Sequence, residues 1–295
     1  MKVEQRQGIM VSEQRDGAAR AIEGSWDCQI HVFDDPIKYP PSSDAGYEIP
    51  TAARLTDALR VHESLGIDRR VIVQSSAYGT DHSLLLHALR EIDPHSRYGV
   101  AVVDESVSDA DLLRFHEAGI RGVRFNFPAF FKAKPSPASV RRTLDRTREF
   151  NWFVKVFLPD KGRSDVMSLF RDFTGPIVID HMGSLNFRHG LEHPECQLIM
   201  QGLRRNENWW IMLSNGDRLS GLAEPWLDAT EFGRALFEAA PQRSIWGSDW
   251  PKVSYSKPRH AEDATLKLLY SYLPDQISKR NVLIENPGRL FGVAN

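Results

Sequence analysis

Short apolar runs alternate with longer segments of helical period along most of this 295-residue chain. Runs such as Val71-Ile72-Val73 and Ile177-Val178-Ile179 are continuously apolar, as expected of strands that are buried on both faces. Parallel strands need helix-length crossovers, so this alternation is typical of a parallel sheet. We count about eight such units, which predicts an α/β protein with a distorted TIM barrel, whose chemistry lies at the carboxyl ends of the strands.

The predicted elements are bounded by ordinary helix and strand signals. Leu55, Leu59 and Leu65 fall near one helical face, and Gly66 follows as a C-terminal stop. An open doubly wound sheet is the alternative fold, but no GxGxxG motif follows any predicted strand. The predicted strands are Trp26–Phe33, Arg70–Ser75, Tyr98–Val103, Gly122–Phe125, Trp152–Phe157, Pro176–Asp180, Trp209–Leu213 and Ser244–Ser248.

Length and composition are sufficient for one large domain. A chain with 41% hydrophobic residues can bury the core that a barrel requires. We assign residues 26–295 to a single catalytic barrel. Residues 1–25 are polar, mixed in charge and without the apolar core of a secretory signal, so we expect a flexible N-terminal extension there.

Charge and cysteine content exclude several classes of protein. The net charge of −2 comes from intermixed acidic and basic residues without a basic stripe, so nucleic acid is not an expected partner. Cys28 and Cys196 lie far apart and form no CxxC motif, which fits a reducing compartment. No apolar run approaches the roughly 18 residues of a membrane span. We therefore expect a cytoplasmic protein that acts on a small molecule and does not bind membranes.

Polar side chains stand at the ends of the apolar runs, where packing gives them no reason to be. In a barrel, residues at these positions meet in one site. The set comprises Gln29 and His31 on the first strand, Ser76 after the second, Arg124 on the fourth, Lys155 within the fifth, His181 after the sixth, Arg218 after the seventh and Asp249 after the eighth.

These residue types suit the attack of water on a carbonyl. Asp249, ionised at neutral pH, can take a proton from water, while His31, His181 and the Gln29 amide can donate to the developing oxyanion. This chemistry opens esters and lactones. Arg124 and Arg218 match the geometry of a carboxylate, so we expect an acidic substrate.

Single members of the set also have structural interpretations. His31 alone could be a core histidine that is bonded to a carbonyl. Arg124 could balance a buried carboxylate such as Asp104, and Arg218 could be a solvated surface charge. Lys155 could extend to the barrel rim or be a structural ion-pair partner.

The run Asp27-Cys28-Gln29-Ile30-His31 is similar to a metal-binding first strand in which Gln29 replaces one histidine ligand. His-x-His would place both imidazoles on one face of a strand, but an amide oxygen is a poor zinc ligand. We therefore expect no metal and no other cofactor. The alternative is a divalent metal such as zinc, held by His31, His181 and Asp249.

Several segments together resemble the amidohydrolase superfamily, and within it the lactonase group typified by 2-pyrone-4,6-dicarboxylate lactonase. The resemblance implies a hydrolase that works without metal, with Asp249 as the base and His31 and His181 polarising the lactone carbonyl. It also places Tyr47, Ser76, Arg124 and Arg218 around the carboxylates or carbonyl of the substrate. The matching segments are 27–33, 71–76, 122–127, 179–183, 246–251 and 285–287.

Two departures from this group bear on the substrate. Gln29 and Tyr78 occupy positions where the resemblance implies histidines. The pocket for the acyl part of the substrate, with Tyr78 in its wall, is therefore expected to bind a substrate other than the pyrone dicarboxylate. The resemblance to a related group that isomerises sugar-acid lactones implies Gln at the position of Gln29 but Asn at the position of Asp249. This chain keeps Asp249, so hydrolysis is favoured over isomerisation.

Other functions remain open at this stage. They are a metal-dependent hydrolase or decarboxylase of the same superfamily, and a barrel that binds a carboxylate through Arg124 and Arg218 without chemistry. Homo-oligomerisation is compatible with a barrel of this size, although the sequence carries no interface signature.

Overall fold

Eight parallel strands form one sheet in which each strand pairs with the next in the chain. A bridge between Ile30 and Trp250 joins the first strand to the segment after the last, which confirms the predicted TIM barrel. The computed structural model describes residues 17–43, 45, 47–50, 53–132 and 134–293. The strands are β1 (Trp26–Ile30), β2 (Arg69–Val73), β3 (Arg97–Ala101), β4 (Ile120–Asn126), β5 (Phe153–Phe157), β6 (Ile177–Ile179), β7 (Trp209–Leu213) and β8 (Ser244–Trp246).

Helices cover the outside of the barrel, and local signals in the sequence set several of their ends. Gly66 ends the first helix with a φ of 74°, a left-handed conformation that favours glycine. Ser108 and Asp111 form a capping box at the third. The α-helices are α1 (Leu55–Leu65), α2 (Ser83–Arg90), α3 (Asp109–Glu117), α4 (Pro137–Thr147), α5 (Arg163–Ser168), α6 (Pro194–Arg205), α7 (Gly216–Leu219), α8 (Leu227–Ala239), α9 (Ala264–Tyr272), α10 (Gln276–Arg280) and α11 (Asn286–Phe291), with a π-helical turn at Asn281–Glu285.

The segment before β1 lies against the barrel. The Ala19 N–H donates to Asp263 at 2.7 Å, and the Ala21 N–H donates to the Leu65 carbonyl at 2.7 Å. Ile22 packs against the main apolar cluster. This part of the predicted extension is therefore attached to the domain, whereas residues 1–16 lie outside the described residues.

The interior of the barrel has its own apolar core, distinct from the layer between strands and helices. At its base, Phe291 of α11 stacks on Trp26 with ring centroids 5.2 Å apart, and it meets Phe153 edge-on at 5.3 Å. Trp26 begins β1, so this cluster lies at the end of the barrel opposite the carboxyl ends of the strands. The C-terminal helix thereby closes the bottom of the barrel.

Both cysteine side chains lie in the interior of the protein. Cys28 and Cys196 are both buried and unpaired. Burial raises the pKa of Cys196 to about 11, which keeps this thiol protonated at neutral pH.

Within the described ranges, no helix combines the length and the apolar character needed to cross a bilayer.

We predict that Phe291→Ala will lower the free energy of unfolding by about 3–5 kcal/mol, because it removes a buried ring that plugs the barrel. Urea unfolding followed by circular dichroism measures this change. Leu113→Ala is the control, since Leu113 is 51% exposed on α3. Equal stability of the two variants would contradict the assigned role of α11.

Candidate active site

The end of β8 is fastened to β1, and this junction positions the first site residues. The Asp249 N–H donates to the Gln29 carbonyl at 3.0 Å, and the His31 N–H donates to the Trp250 carbonyl at 2.8 Å. Below them, the Asp27 carboxylate accepts hydrogen bonds from the Gln29 and Ser248 N–H groups. Asp27 therefore caps backbone groups of β1 and of the segment that follows β8.

Three polar residues that follow successive strands share an uncommon backbone conformation. His181, Asn215 and Asp249 have φ values of 47°, 60° and 57°. Non-glycine residues in this left-handed region are strained, and such residues concentrate at functional sites. The chain thus turns sharply at the ends of β6, β7 and β8.

The carboxylate of Asp249 receives donors from both sides. Gln29 Nε2 lies 2.9 Å from Asp249 Oδ1, and Asn215 Nδ2 lies 2.9 Å from Oδ2. His31 Nε2 is 3.3 Å from Oδ1. Burial acts to raise the pKa of Asp249, but the electrostatic effect of His181 and the hydrogen bond and electrostatic effect of His31 outweigh it and hold the pKa well below its ordinary value. The group is therefore a carboxylate at neutral pH.

Both ring nitrogens of His31 face oxygen atoms that only accept. Nδ1 is 2.9 Å from the Val73 carbonyl, and Nε2 faces the Asp249 carboxylate. A carbonyl and an ionised carboxylate both require a donor. His31 is therefore held between the end of β2 and the Asp249 carboxylate, with an acceptor on each side of its ring.

His181 has the opposite surroundings. Its Nε2 lies 3.2 Å from both Gln29 Nε2 and Arg124 Nη2, while its Nδ1 lies 3.0 Å from Asn215 Nδ2 and 2.9 Å from Ser214 Oγ. Burial lowers the pKa of His181 to about 4, despite the nearby carboxylates of Asp180 and Asp249. The His181 ring is therefore neutral at physiological pH.

Gln29 links the two halves of the site. Its amide nitrogen lies between Asp249 Oδ1 and His181 Nε2, and its side chain is fully buried. Within the described residues, the Gln29 amide oxygen has no hydrogen-bond partner. A buried acceptor of this kind is a position for a ligand or water hydrogen.

Arg124 and Lys155 share the buried carboxylate of Asp180. Arg124 Nη2 is 2.6 Å from Asp180 Oδ2, and Lys155 Nζ is 3.5 Å from Oδ1. The carboxylate that balances Arg124 is thus Asp180 rather than Asp104. Lys155 lies fully buried in this layer, so the structure gives it the ion-pair role that the sequence offered as the alternative to substrate binding. Burial lowers the pKa of Lys155, and Asp180 opposes that effect.

Arg218 is held at the mouth of the barrel by the loop that follows β8. Its guanidinium donates to the Val253 and Ser254 carbonyls and lies over the Tyr255 ring. The neighbouring Asp217 is buried and pairs with Lys252 and His260 of the same loop. Arg218 is therefore a fixed charge rather than a free surface group.

The Nε–H groups of Arg124 and Arg218 are buried, and in the described part of the chain neither has a partner. A buried unpaired donor is costly, so each is a position where an acceptor on a ligand would be stabilising. Arg218 also contributes to the low pKa of Asp249.

The remaining predicted residues lie above β2. Tyr47 Oη is 2.6 Å from Ser75 Oγ, and burial raises the pKa of Tyr78 to about 12. Ser76 and Tyr78 line a cavity of about 520 Å³ that also borders Asn126. Tyr47 therefore acts on this region through Ser75, whereas Ser76 and Tyr78 face the cavity itself.

Sequence reasoning assigned no role to Asp180, Asn126 or Asn215. Each is a polar residue at the end of a strand, which is the signal that singled out the other site residues. Asn215 was not assigned because it lies within a run of polar residues after β7. Asp180 was not assigned because the adjacent His181 was chosen as the site residue.

A catalytic metal does not fit this donor set. The position between Asp249 and His181 is filled by the Gln29 amide nitrogen, and the Arg124 guanidinium lies 3.2 Å from His181 Nε2. A cation beside the imidazole would repel a metal ion. Among the described residues, no three or more His, Cys, Asp or Glu side chains are grouped to hold one.

The chain is similar to several named proteins over most of its length. The chain is 31% identical over 92% of its length to 4-sulfomuconolactone hydrolase of Rhizobium radiobacter, of which 91% is covered. It is 27% identical over 91% of its length to 2-pyrone-4,6-dicarboxylate hydrolase of Comamonas testosteroni, of which 90% is covered. It is 26% identical over 91% of its length to D-galactarolactone isomerase of Agrobacterium fabrum, of which 91% is covered. The amidohydrolase family model matches residues 26–293, and this chain therefore belongs to the amidohydrolase family.

Proposed function

We propose that this protein is a lactonase, which opens a carboxylated lactone or a similar cyclic ester with water activated by Asp249 and without a bound metal. The observation that supports this most is the ionised Asp249 carboxylate, held by Gln29, Asn215 and His31 beside the neutral His181. Two relatives named as hydrolases, one of them of a lactone, support the reaction class.

Asp249 takes a proton from water as the water oxygen attacks the carbonyl carbon. When the tetrahedral state collapses, the bond from this carbon to the ring oxygen breaks, and the ring oxygen takes the proton from Asp249 and leaves as a hydroxyl. A carboxylate has about four lone-pair positions on its two oxygens, so the contacts from Gln29, His31 and Asn215 leave room for one more donor. Those contacts also fix the direction of the carboxylate, which lowers the cost of orienting the base. The unpaired Gln29 oxygen provides an acceptor for the second hydrogen of the water.

The carbonyl oxygen becomes negatively charged in the tetrahedral state and needs donors. In the unliganded site His181 Nε2 accepts from Gln29 and Arg124, whereas with an oxyanion bound there the ring donates to it in the tautomer with hydrogen on Nε2, in which Asn215 and Ser214 donate to Nδ1. Arg124 Nη2, 3.2 Å from Nε2, adds a positive charge at the same place. Donors aimed at a developing oxyanion in a site closed to water contribute strongly to rate.

The substrate carboxylate binds at the unpaired Nε–H groups of Arg218 or Arg124. Arg218 is the stronger candidate, because its other nitrogens already donate to carbonyls and hold the fork in place. Ser76 lines the cavity above β2 and adds a neutral hydrogen bond there, while Tyr47 acts through Ser75. A substrate with an anionic group near its lactone ring is therefore favoured.

Isomerisation of a lactone is the second candidate, because one relative is named D-galactarolactone isomerase. In that reaction a hydroxyl of the substrate, rather than water, attacks the carbonyl. Asp249 would serve as base in either case. The two reactions differ in whether oxygen from water enters the product.

We predict that Asp249→Asn will lower kcat by about 10²–10⁴-fold, because the variant loses the proton acceptor and keeps a similar shape. The assay is turnover of a panel of carboxylated lactones in isotopically labelled water, with product analysis by mass spectrometry. Labelled open-chain acid identifies hydrolysis, and unlabelled rearranged lactone identifies isomerisation.

Asp145→Asn is the matched control for the same chemical change, since the Asp145 side chain is 62% exposed on α4. It should retain full turnover. Undiminished turnover by the folded Asp249 variant would show that another group is the base.

The pH dependence of kcat/KM should report the state of His181. Its pKa of about 4 means that the ring stays neutral as the pH falls through 6.5 and becomes protonated only near pH 4. Activity should therefore persist in mild acid and decline near that lower value, as the hydrogens of the ring are rearranged and a positive charge appears beside Arg124. An acidic limb near the ordinary histidine pKa would refute the neutral assignment. Circular dichroism at each pH separates this loss from unfolding.

Removal of metals should leave the activity unchanged. After dialysis against a chelator, we expect kcat to stay within about twofold of its starting value, because none of the proposed steps uses a metal. Elemental analysis of the same samples provides the comparison. Zinc or manganese in stoichiometric amount, lost together with activity and restored by re-addition, would instead indicate a metal-dependent hydrolase or decarboxylase.

A further inference from the structure

Three phenylalanines lie between the catalytic residues and solvent. Phe157 ends β5, and Phe130 and Phe131 follow β4 in the loop above it. The three rings contact one another, with centroid separations of 4.4 Å for Phe130 and Phe131 and 5.9 Å from each of these to Phe157. We call these three residues the phenylalanine wall.

The wall begins at the reacting groups. The Phe157 ring meets the His181 imidazole edge-on with centroids 4.8 Å apart, and the Arg124 guanidinium carbon lies 5.2 Å from its centroid. A substrate whose carbonyl faces His181 therefore has Phe157 as a neighbour.

The outer end of the wall is exposed to solvent. Phe130 is 64% exposed, although Phe is among the residues that proteins most often bury. Its exposed face is continuous with the catalytic residues through Phe131 and Phe157. An apolar group on a bound substrate would cover this face and recover part of the free energy of burial.

The adjoining cavity of about 520 Å³ is unfavourable to a second anion. Among its charged lining residues, Asp81 and Asp104 oppose the single cation Lys132. Asn126 also lines this cavity, and only 9% of its surface is exposed. Within the described residues, its amide oxygen has no hydrogen-bond partner. An unpaired acceptor attracts a hydroxyl or amide N–H and repels a carboxylate.

We propose that the substrate carries one anionic group together with an apolar, aromatic-sized substituent that packs on the phenylalanine wall. This inference rests on the proposed lactone-opening function and names the substrate class for it. The anionic group lies at the arginines, and the apolar substituent extends over Phe157 and Phe131 toward Phe130. Phe131 is a specificity-determining residue, because it contacts both other rings and lines the cavity.

Binding of lactams tests the wall independently of turnover. Three lactams that share one ring and one carboxylate are compared. At the position away from this carboxylate they carry hydrogen, phenyl or a second carboxylate. By isothermal titration calorimetry with the full chain, the phenyl lactam should bind about tenfold or more tighter than the hydrogen lactam. The second carboxylate should weaken binding.

The variant Phe131→Ala should reduce the preference for phenyl over hydrogen by about tenfold. Phe130→Ser, which changes an exposed position, should reduce it to a smaller extent. Ile277→Ser is the control, because Ile277 is 72% exposed on α10 and should leave the preference intact. Melting temperatures establish that each variant is folded.

Equal affinity for the phenyl and hydrogen lactams, tightest binding of the dicarboxylate, or an unchanged preference in Phe131→Ala would each overturn the inference. The corresponding lactones are assayed in parallel. A phenyl preference in binding, with no turnover of any lactone, would support the wall and refute only the proposed hydrolase function.

Discussion

The junction between β1 and β8 is the interaction on which both the fold and the site depend. A barrel must close its first strand onto its last, and here the Asp27 carboxylate ties the backbones of Gln29 and Ser248 together while Ile30 bridges to Trp250. The same hydrogen bonds place the Gln29 amide against Asp249. Because closure and catalytic geometry share these contacts, neither can be altered without the other.

Charge is the second constraint on this site. Arg124, Lys155, Asp180 and Asp249 are all nearly excluded from solvent, and isolated ions are costly to bury. Asp180 offsets Arg124 and Lys155, whereas His31 and the amides of Gln29 and Asn215 stabilise Asp249. His181, which lies between these groups, stays neutral because its donors and its burial disfavour a further positive charge. The site is therefore set up for charge to develop on a substrate rather than on the protein.

Most of the barrel could be predicted from the sequence, because its signals are local. Continuous apolar runs marked the buried strands, and Gly66 marked a helix end. The first and last strands are shorter than predicted, ending at Ile30 and Trp246, because the register shifts after Asp27 and the chain turns at Asp249. The short helices α7, α10 and α11 were missed, since their few turns carry little periodicity and their burial depends on distant partners.

The alternation of apolar runs with helical segments, read from the sequence alone, predicted the fold class. The residue types at the strand ends predicted the family resemblance and a site that contains His31, His181, Asp249 and Gln29. Only the tertiary structure decided which partner each residue has: Asp180 for Arg124 and Lys155, and Asn215 for Asp249. It also decided that burial keeps His181 neutral and that the phenylalanine wall adjoins this ring. The periodicity of apolar residues and the chemistry of each side chain can be read from short stretches of sequence. Charge balance and desolvation arise only when residues far apart in sequence are brought into contact.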